Sequence, residues 1–139
     1  EEWKEAGFRF ADIHTLLKES DIISLHLPLN ETTKGFFNGE KIEKMKEDAI
    51  LINCARGPIL DNAALAKALN EGRIAGAAID VFDMEPPIPA DYPLLSAKNV
   101  LMTPHVAFAT KEAMVRRAKI EFDNVYAYRQ GKPENVCKF

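Results

Sequence analysis

Two residues of this 139-residue chain carry basic side chains where they could do chemistry: Arg56, ahead of Gly57-Pro58, and His105, behind Pro104. The Gly57-Pro58 pair turns the chain sharply and leaves the guanidinium room in a crevice. Its planar fork of donors matches a carboxylate in bidentate fashion, each charged hydrogen bond contributing about 1.5 to 3 kcal/mol. A structural salt bridge is the other use of such an arginine, and spacing alone does not choose between the two. Histidine titrates near neutrality, so His105 could give or take a proton, and its place after a proline predicts a pinned ring. A lone histidine there also serves as a hydrogen-bonded packing residue. Asp80 ends an apolar run, where aspartate acts as a ligand or as a helix cap or turn former. Glu85 falls in Met84-Glu85-Pro86-Pro87-Ile88-Pro89, a stretch in which an isolated acid is ordinarily just solvated.

The elements that must hold these residues read from the apolar pattern. Four apolar runs, Ile22 to Leu27, Ala49 to Ala55, Ala75 to Phe82 and Val100 to Thr103, have the length of strands. Nearly every residue in them is apolar, which predicts parallel strands covered on both faces. Their starts recur about every 26 residues, enough for crossover helices. Asp12 opens a helix with Ile13, Leu16 and Leu17 on one face, closed by Ser20-Asp21; Glu40 to Lys46 is a shorter one carrying Ile42 and Met45. Asp61 caps a helix over Asn62 to Asn70, and Gly72 ends it. The proline-rich stretch predicts an extended loop, because proline lacks the amide and restricts its predecessor. After Thr110 a long helix runs to about Arg129, its stripe made by Val115, Ala118, Phe122, Val125 and Tyr126, with Gly131 and Pro133 stopping it. Glu1 to Phe10 reads as a short helix and then a small strand around Phe8 to Phe10.

Repeated strand and crossover units predict an α/β fold, an incomplete doubly wound (Rossmann-like) parallel sheet with flanking helices. Ligands of such sheets sit outside the carboxyl ends of the strands. Leu27-Pro28, Cys54-Ala55-Arg56-Gly57, Asp80 and Thr103-Pro104-His105 all follow strand ends and would converge on that edge.

Composition narrows the class further. With 47% hydrophobic and 28% charged residues the chain has the balance of a soluble globular domain. A net charge of -3 gives nucleic acid no electrostatic reason to bind. No apolar run approaches the roughly 20 residues of a membrane span, and the acidic start is unlike a signal peptide, so the expected location is cytoplasmic. Cys54 and Cys137 are too few for a disulfide framework and too far apart for a metal knuckle, and both are expected to be free thiols.

Taken in order, Ser24-Leu25-His26-Leu27-Pro28-Leu29, Ile52-Asn53-Cys54-Ala55-Arg56-Gly57-Pro58, Ala77-Ala78-Ile79-Asp80-Val81-Phe82-Asp83-Met84-Glu85-Pro86-Pro87 and Leu101-Met102-Thr103-Pro104-His105 resemble the D-2-hydroxyacid dehydrogenase family. The Asn-Cys-Ala-Arg-Gly wording looks most like its phosphoglycerate dehydrogenase branch. The resemblance implies the C-terminal part of an NAD-binding domain over residues 1–110, and a helix and tail over 111–139 that return to a separate substrate domain. It implies catalytic roles for Arg56, which would anchor the substrate's carboxylate and carbonyl, and for His105, the general acid or base. Glu85 would hold the imidazole, fixing its tautomer and favouring the protonated ring. In the reducing direction that imidazolium would donate its proton to the substrate oxygen. For the cofactor, NAD with NADP not excluded, it implies Leu27 and Pro28 against the adenosine portion, Cys54, Ala55 and the Arg56 backbone near the nicotinamide, and Asp80 on the carboxamide. His105 and the Ala107-Phe108 pair that follows would complete the nicotinamide contacts, at positions where the family often has glycine or another small residue.

The dinucleotide fingerprint Gly-x-Gly-x-x-Gly does not occur, and no two glycines here are separated by a single residue. Family members carry that loop, and the ribose-binding acid beyond it, upstream of the segment that Glu1 to Phe10 resembles. The expectations are therefore weak or absent NAD binding by this chain alone, and strand neighbours left without partners that invite a homodimer or higher oligomer with exchanged elements. The small 2-hydroxy or 2-oxo acid of the parent enzyme is not identified by these residues. Two other readings are an NAD-responsive, corepressor-like binding module and a self-associating α/β domain without activity.

Overall fold

The computed structural model describes residues 5–84 and 87–137, and the chain divides into two compact units, Glu1–His105 and Val106–Phe139. In the amino-terminal unit, the Asp12 side chain accepts hydrogen bonds from the amides of His14 and Thr15, at 2.9 and 3.1 Å. That satisfies donors which the start of a helix leaves open, and α1 (Ile13–Glu19) follows. The chain continues through β1 (Ile22–Leu25), α2 (Gly39–Glu43), β2 (Ile50–Asn53), a 3-10 turn (Gly57–Ile59) and α3 (Asn62–Glu71). It then forms β3 (Gly76–Ile79), a second 3-10 turn (Pro93–Ser96) and β4 (Val100–Met102). Asp61 caps α3 through the Ala64 amide at 2.9 Å, and Gly72 ends it at φ 71°, a left-handed conformation that glycine adopts without steric cost.

The four strands form one parallel sheet in the order β1-β2-β3-β4. Their register aligns Leu25, Asn53, Ile79 and Met102 in a single row, the last paired residues of each strand. Everything that follows this row leaves the sheet along one edge. The expected α/β architecture is therefore present, with each strand shorter than its apolar run.

The expected cover on both faces is not. Burial alternates along β1 and β2: Ile23, Leu25, Leu51 and Asn53 are buried, while Ile22, Ser24 and Ile50 are exposed. A sheet that grows in one direction by right-handed crossovers places every connection on the same face. Leu17 of α1, Ile42 of α2 and Leu65, Ala68 and Leu69 of α3 join Phe37, Ile59 and Leu94 in one core cluster with the buried strand residues. Apolar residues on the other face, such as Ile22 and Leu101, remain open.

Two more expectations need correction or limits. Phe8 to Phe10 forms no strand, and both rings are exposed. The helix expected ahead of it falls largely on residues 1–4, outside the described residues. The described part of the proline-rich stretch holds no helix, as proline requires. The 3-10 turn at Pro93–Ser96, which starts on a proline and buries Leu94 completely, had no periodic signal in the sequence.

In the carboxyl-terminal unit Thr110 accepts from the Ala113 amide at 3.1 Å and opens α4 (Lys111–Arg129). Gly131 follows its end at φ 71°. Among the described residues no helix is long and apolar enough to cross a membrane.

Candidate active site

Arg56 owes its position to Asn53. The Asn53 side chain, completely buried at the end of β2, accepts from the Ala55 amide at 3.0 Å and donates to the Arg56 carbonyl at 3.1 Å. This Asx turn makes the chain leave the sheet at a fixed angle. The Asn53 carbonyl meanwhile accepts from the Asp80 amide at 3.0 Å, tying the ends of β2 and β3 together. On the far side of the turn, Gly35 and Phe37 donate to the carbonyls of Pro58 and Ile59 at 2.8 and 2.9 Å. The Arg56 segment is thus held from both directions.

Gly57 is required by a close approach. A Cβ at this position would stand 1.8 Å from the Phe82 carbonyl oxygen and 2.4 Å from the Asp83 nitrogen, backbone atoms that have no flexible way to yield. The loop after β3 therefore lies directly on the loop after β2. Arg56 itself is exposed, and its guanidinium donates from Nη1 to the Ala55 carbonyl at 2.6 Å. Among the described residues no carboxylate pairs with it. A structural salt bridge thus has no partner there, and Arg56 lines an open cleft instead.

His105 is exposed and holds its backbone at φ 56°, in the left-handed region. For a residue with a Cβ this costs on the order of 1 kcal/mol or more, and such strain gathers at functional sites. Its amide donates to the Thr103 carbonyl at 3.0 Å, which closes the tight turn after β4. The residue behind Pro104 thus sits in a tight, strained backbone turn.

Arg56 and His105 line the same cleft, of about 510 Å³, with Leu29, Phe82, Met84 and Ile88 among its apolar walls. Asp80 is buried just beyond β3, and its carboxylate accepts from the Thr103 hydroxyl at 2.5 Å. This bond joins the ends of β3 and β4 under the His105 turn. Leu27 is half-buried against the core, Pro28 and Cys54 are exposed, and Ala55 is buried; all lie along the same edge but outside the cleft lining. Both cysteines are free. Glu85 lies outside the described residues. Ala107 and Phe108 belong to the carboxyl-terminal unit, where the Arg117 guanidinium stands 5.6 Å from the centre of the Phe108 ring.

Behind the cleft wall, the Tyr92 hydroxyl donates to the Asp83 carboxylate at 2.6 Å. Burial first, and then this bond, push the Tyr92 phenol well above its ordinary value. Asn53, Gly57, Thr103 and the Asp83–Tyr92 pair support the site but carry no sequence signal as strong as Arg56 or His105. An asparagine at a strand end was the one available hint.

The chain, with its parallel α/β sheet and an arginine and a histidine sharing a cleft at the carboxyl edge, belongs to a known family: residues 1–107 match the D-isomer specific 2-hydroxyacid dehydrogenase, NAD binding domain. The chain is 50% identical over 126 residues to a glyoxylate reductase of Thermofilum pendens, covering 91% of this chain and 37% of that protein. It is 48% identical over 133 residues to a glycerate dehydrogenase of Methylorubrum extorquens, covering 91% of this chain and 41% of that protein. Among solved structures, the D-isomer specific 2-hydroxyacid dehydrogenase from Lactobacillus delbrueckii ssp. bulgaricus in its NAD complexed form superposes with a TM-score of 0.85 at 34% identity, over 96% of this chain and 44% of that one. The chain thus spans about two fifths of the length of the curated relatives it matches.

Proposed function

We propose that this chain is the C-terminal part of the NAD-binding domain of an oxidoreductase that interconverts a small 2-hydroxy acid and its 2-oxo acid. The observation that carries the reading is the shared cleft of Arg56 and His105, with no carboxylate on the guanidinium among the described residues. Arg56 holds the substrate's carboxylate and carbonyl by charge-assisted hydrogen bonds. His105 moves the proton at the substrate's C2 oxygen, taking it from the hydroxyl in oxidation and returning it in reduction. NAD, when bound, supplies the hydride acceptor or donor. Glu85 fixes the His105 ring in this reading, an assignment that rests on the motif.

The edge residues fit the nicotinamide end of such a cofactor. Leu27 and Pro28 flank its adenosine portion, Cys54, Ala55 and the Arg56 backbone approach the nicotinamide, and Asp80 receives the carboxamide; His105, Ala107 and Phe108 are assigned to the nicotinamide from the motif alone. The pyrophosphate end has no glycine loop in this sequence. The chain alone therefore binds NAD weakly or not at all, and calorimetric titration showing micromolar affinity would count against that. Residues 1–110 form the cofactor-domain part and 111–139 the helix and tail that return to a substrate domain. Among the described residues β1 is an edge strand, which supports a homodimer or higher oligomer of the chain, and light scattering reads this directly. Two free thiols suit the reducing cytoplasm.

Substrates named for the relatives, glyoxylate and glycerate, are the first to test. The experiment extends the gene upstream through a glycine loop and follows NADH oxidation with glyoxylate, hydroxypyruvate, pyruvate and branched 2-oxo acids. Turnover with at least one of them is expected. Absence of turnover with all, in a protein that binds NADH, would overturn the reading.

A further inference from the structure

The segment between Asp83 and Tyr92 is closed by the bond between its own ends, the Tyr92 hydroxyl donating to Asp83 at 2.6 Å. Tyr92 is 4% exposed and anchored on both sides. Its amide donates to the Pro89 carbonyl at 3.0 Å, and its carbonyl accepts from Leu95 at 2.9 Å, in the 3-10 turn that buries Leu94 in the core. The Phe82 ring meets it edge-on, centroids 5.8 Å apart and planes at 77°. Asn62, buried in the first turn of α3, brings its amide near the Tyr92 hydroxyl without the alignment of a hydrogen bond. Asp83, by contrast, lines the cleft that Arg56 and His105 share. A core-anchored phenol thus grips a carboxylate on the cleft wall, and hydrogen bonds to an ionised acceptor are the stronger kind. Proline-rich segments have no internal ladder of their own, so a loop of this composition takes its position from such end contacts.

We propose that Tyr92 is a positioning residue: by clasping Asp83 it fixes the wall Val81–Met84 against Gly57, and so sets the width of the cleft between that wall and the Arg56 and His105 turns. Tyr92 touches no reacting atom and exchanges no proton with substrate. The catalytic consequence rests on the dehydrogenase reading above.

Tyr92→Phe keeps the ring against Phe82 and removes only the hydroxyl. In the chain as it stands, amide hydrogen exchange across 82–92 is expected to accelerate in Tyr92→Phe and in Asp83→Ala, while α3 and the sheet keep the parent's protection. Asp83→Asn, which retains an acceptor for the phenol, is expected to stay near the parent. In the upstream-extended enzyme, Tyr92→Phe is expected to lower kcat about tenfold while leaving the KM for NADH within about twofold, with Asp83→Asn restoring most of the loss seen in Asp83→Ala. Unchanged exchange across 82–92, or a kcat within about twofold of the parent, would overturn the proposal. An extended protein that binds NADH but turns over no 2-oxo acid would sink the dehydrogenase reading instead. The exchange comparison would then decide the clasp by itself, acceleration supporting it and parent-like protection refuting it.

Discussion

Of its ten residues α3 buries five, Asn62, Leu65, Ala66, Ala68 and Leu69, whereas the nineteen residues of α4 bury none. Both helices carry apolar side chains and both start on a capping side chain, so propensity does not separate them. The stability of α3 is tertiary: Leu65 is completely buried in the core that also holds Phe37 and Ile59. The helicity of α4 is local, supported by the Thr110 cap and by i,i+4 ion pairs such as Arg117–Glu121 at 2.7 Å. Phe122 is 77% exposed and Tyr126 67%. In proteins most helical stability comes from the packing of an apolar face rather than from such local terms. The contrast teaches that an apolar stripe in sequence marks a face that wants a partner, without saying whether the same chain supplies it.

The sharpest way to break that contrast is to attack the tertiary side. Gly57→Ala forces backbone against backbone at the Phe82 carbonyl and is expected to destabilise the amino-terminal unit by about 3 kcal/mol or more, read by urea or thermal unfolding. A variant as stable as the parent would mean that the two loops do not touch. Next in size, Leu65→Ala should cost about 2 to 5 kcal/mol, while Phe122→Ala on α4 should stay within about 0.5 kcal/mol. Equal losses at both positions would erase the distinction. Thr110→Ala removes the cap and should cost the helix about 1 kcal/mol, visible as a drop in helical circular dichroism with little change in the melting of the sheet.

The smallest effect is one of pH. Because the folded state raises the Tyr92 phenol above its ordinary value of about 10, the unfolded chain ionises first as the solution becomes alkaline. Stability that is fully present below that pH is therefore lost as the pH climbs above it, and Tyr92→Phe should flatten this part of the profile. An identical alkaline decline in the variant would assign the loss to other groups.

What was legible in the sequence follows the same division. Local signals worked: Asp61 and Gly72 bounded α3, Thr110 bounded α4, and apolar runs located all four strands. Parallel pairing then brought the strand ends, and with them Arg56 and His105, to one edge. Signals that depend on distant partners did not read. Four-residue strands are too short for their pattern to tell one covered face from two, and the open side of β1 and β2 appeared only in the fold. Phe8 and Phe10 looked like strand residues because their type is right, but residue type alone does not make a ladder, and they lie in no strand. The closeness of Gly57 to Phe82, the bond from Tyr92 to Asp83 and the left-handed turn at His105 arise where separate loops meet, and no local spacing encodes them.

The claim on which the functional account stands is that His105 handles a proton in the cleft it shares with Arg56. Steady-state turnover of His105→Ala in the upstream-extended enzyme, with glyoxylate and NADH, tests it most directly. A positioned acid or base contributes about 10² to 10⁴ in rate, so kcat is expected to fall at least about a hundredfold with NADH binding retained. A kcat within a few-fold of the parent would contradict the role given to that ring.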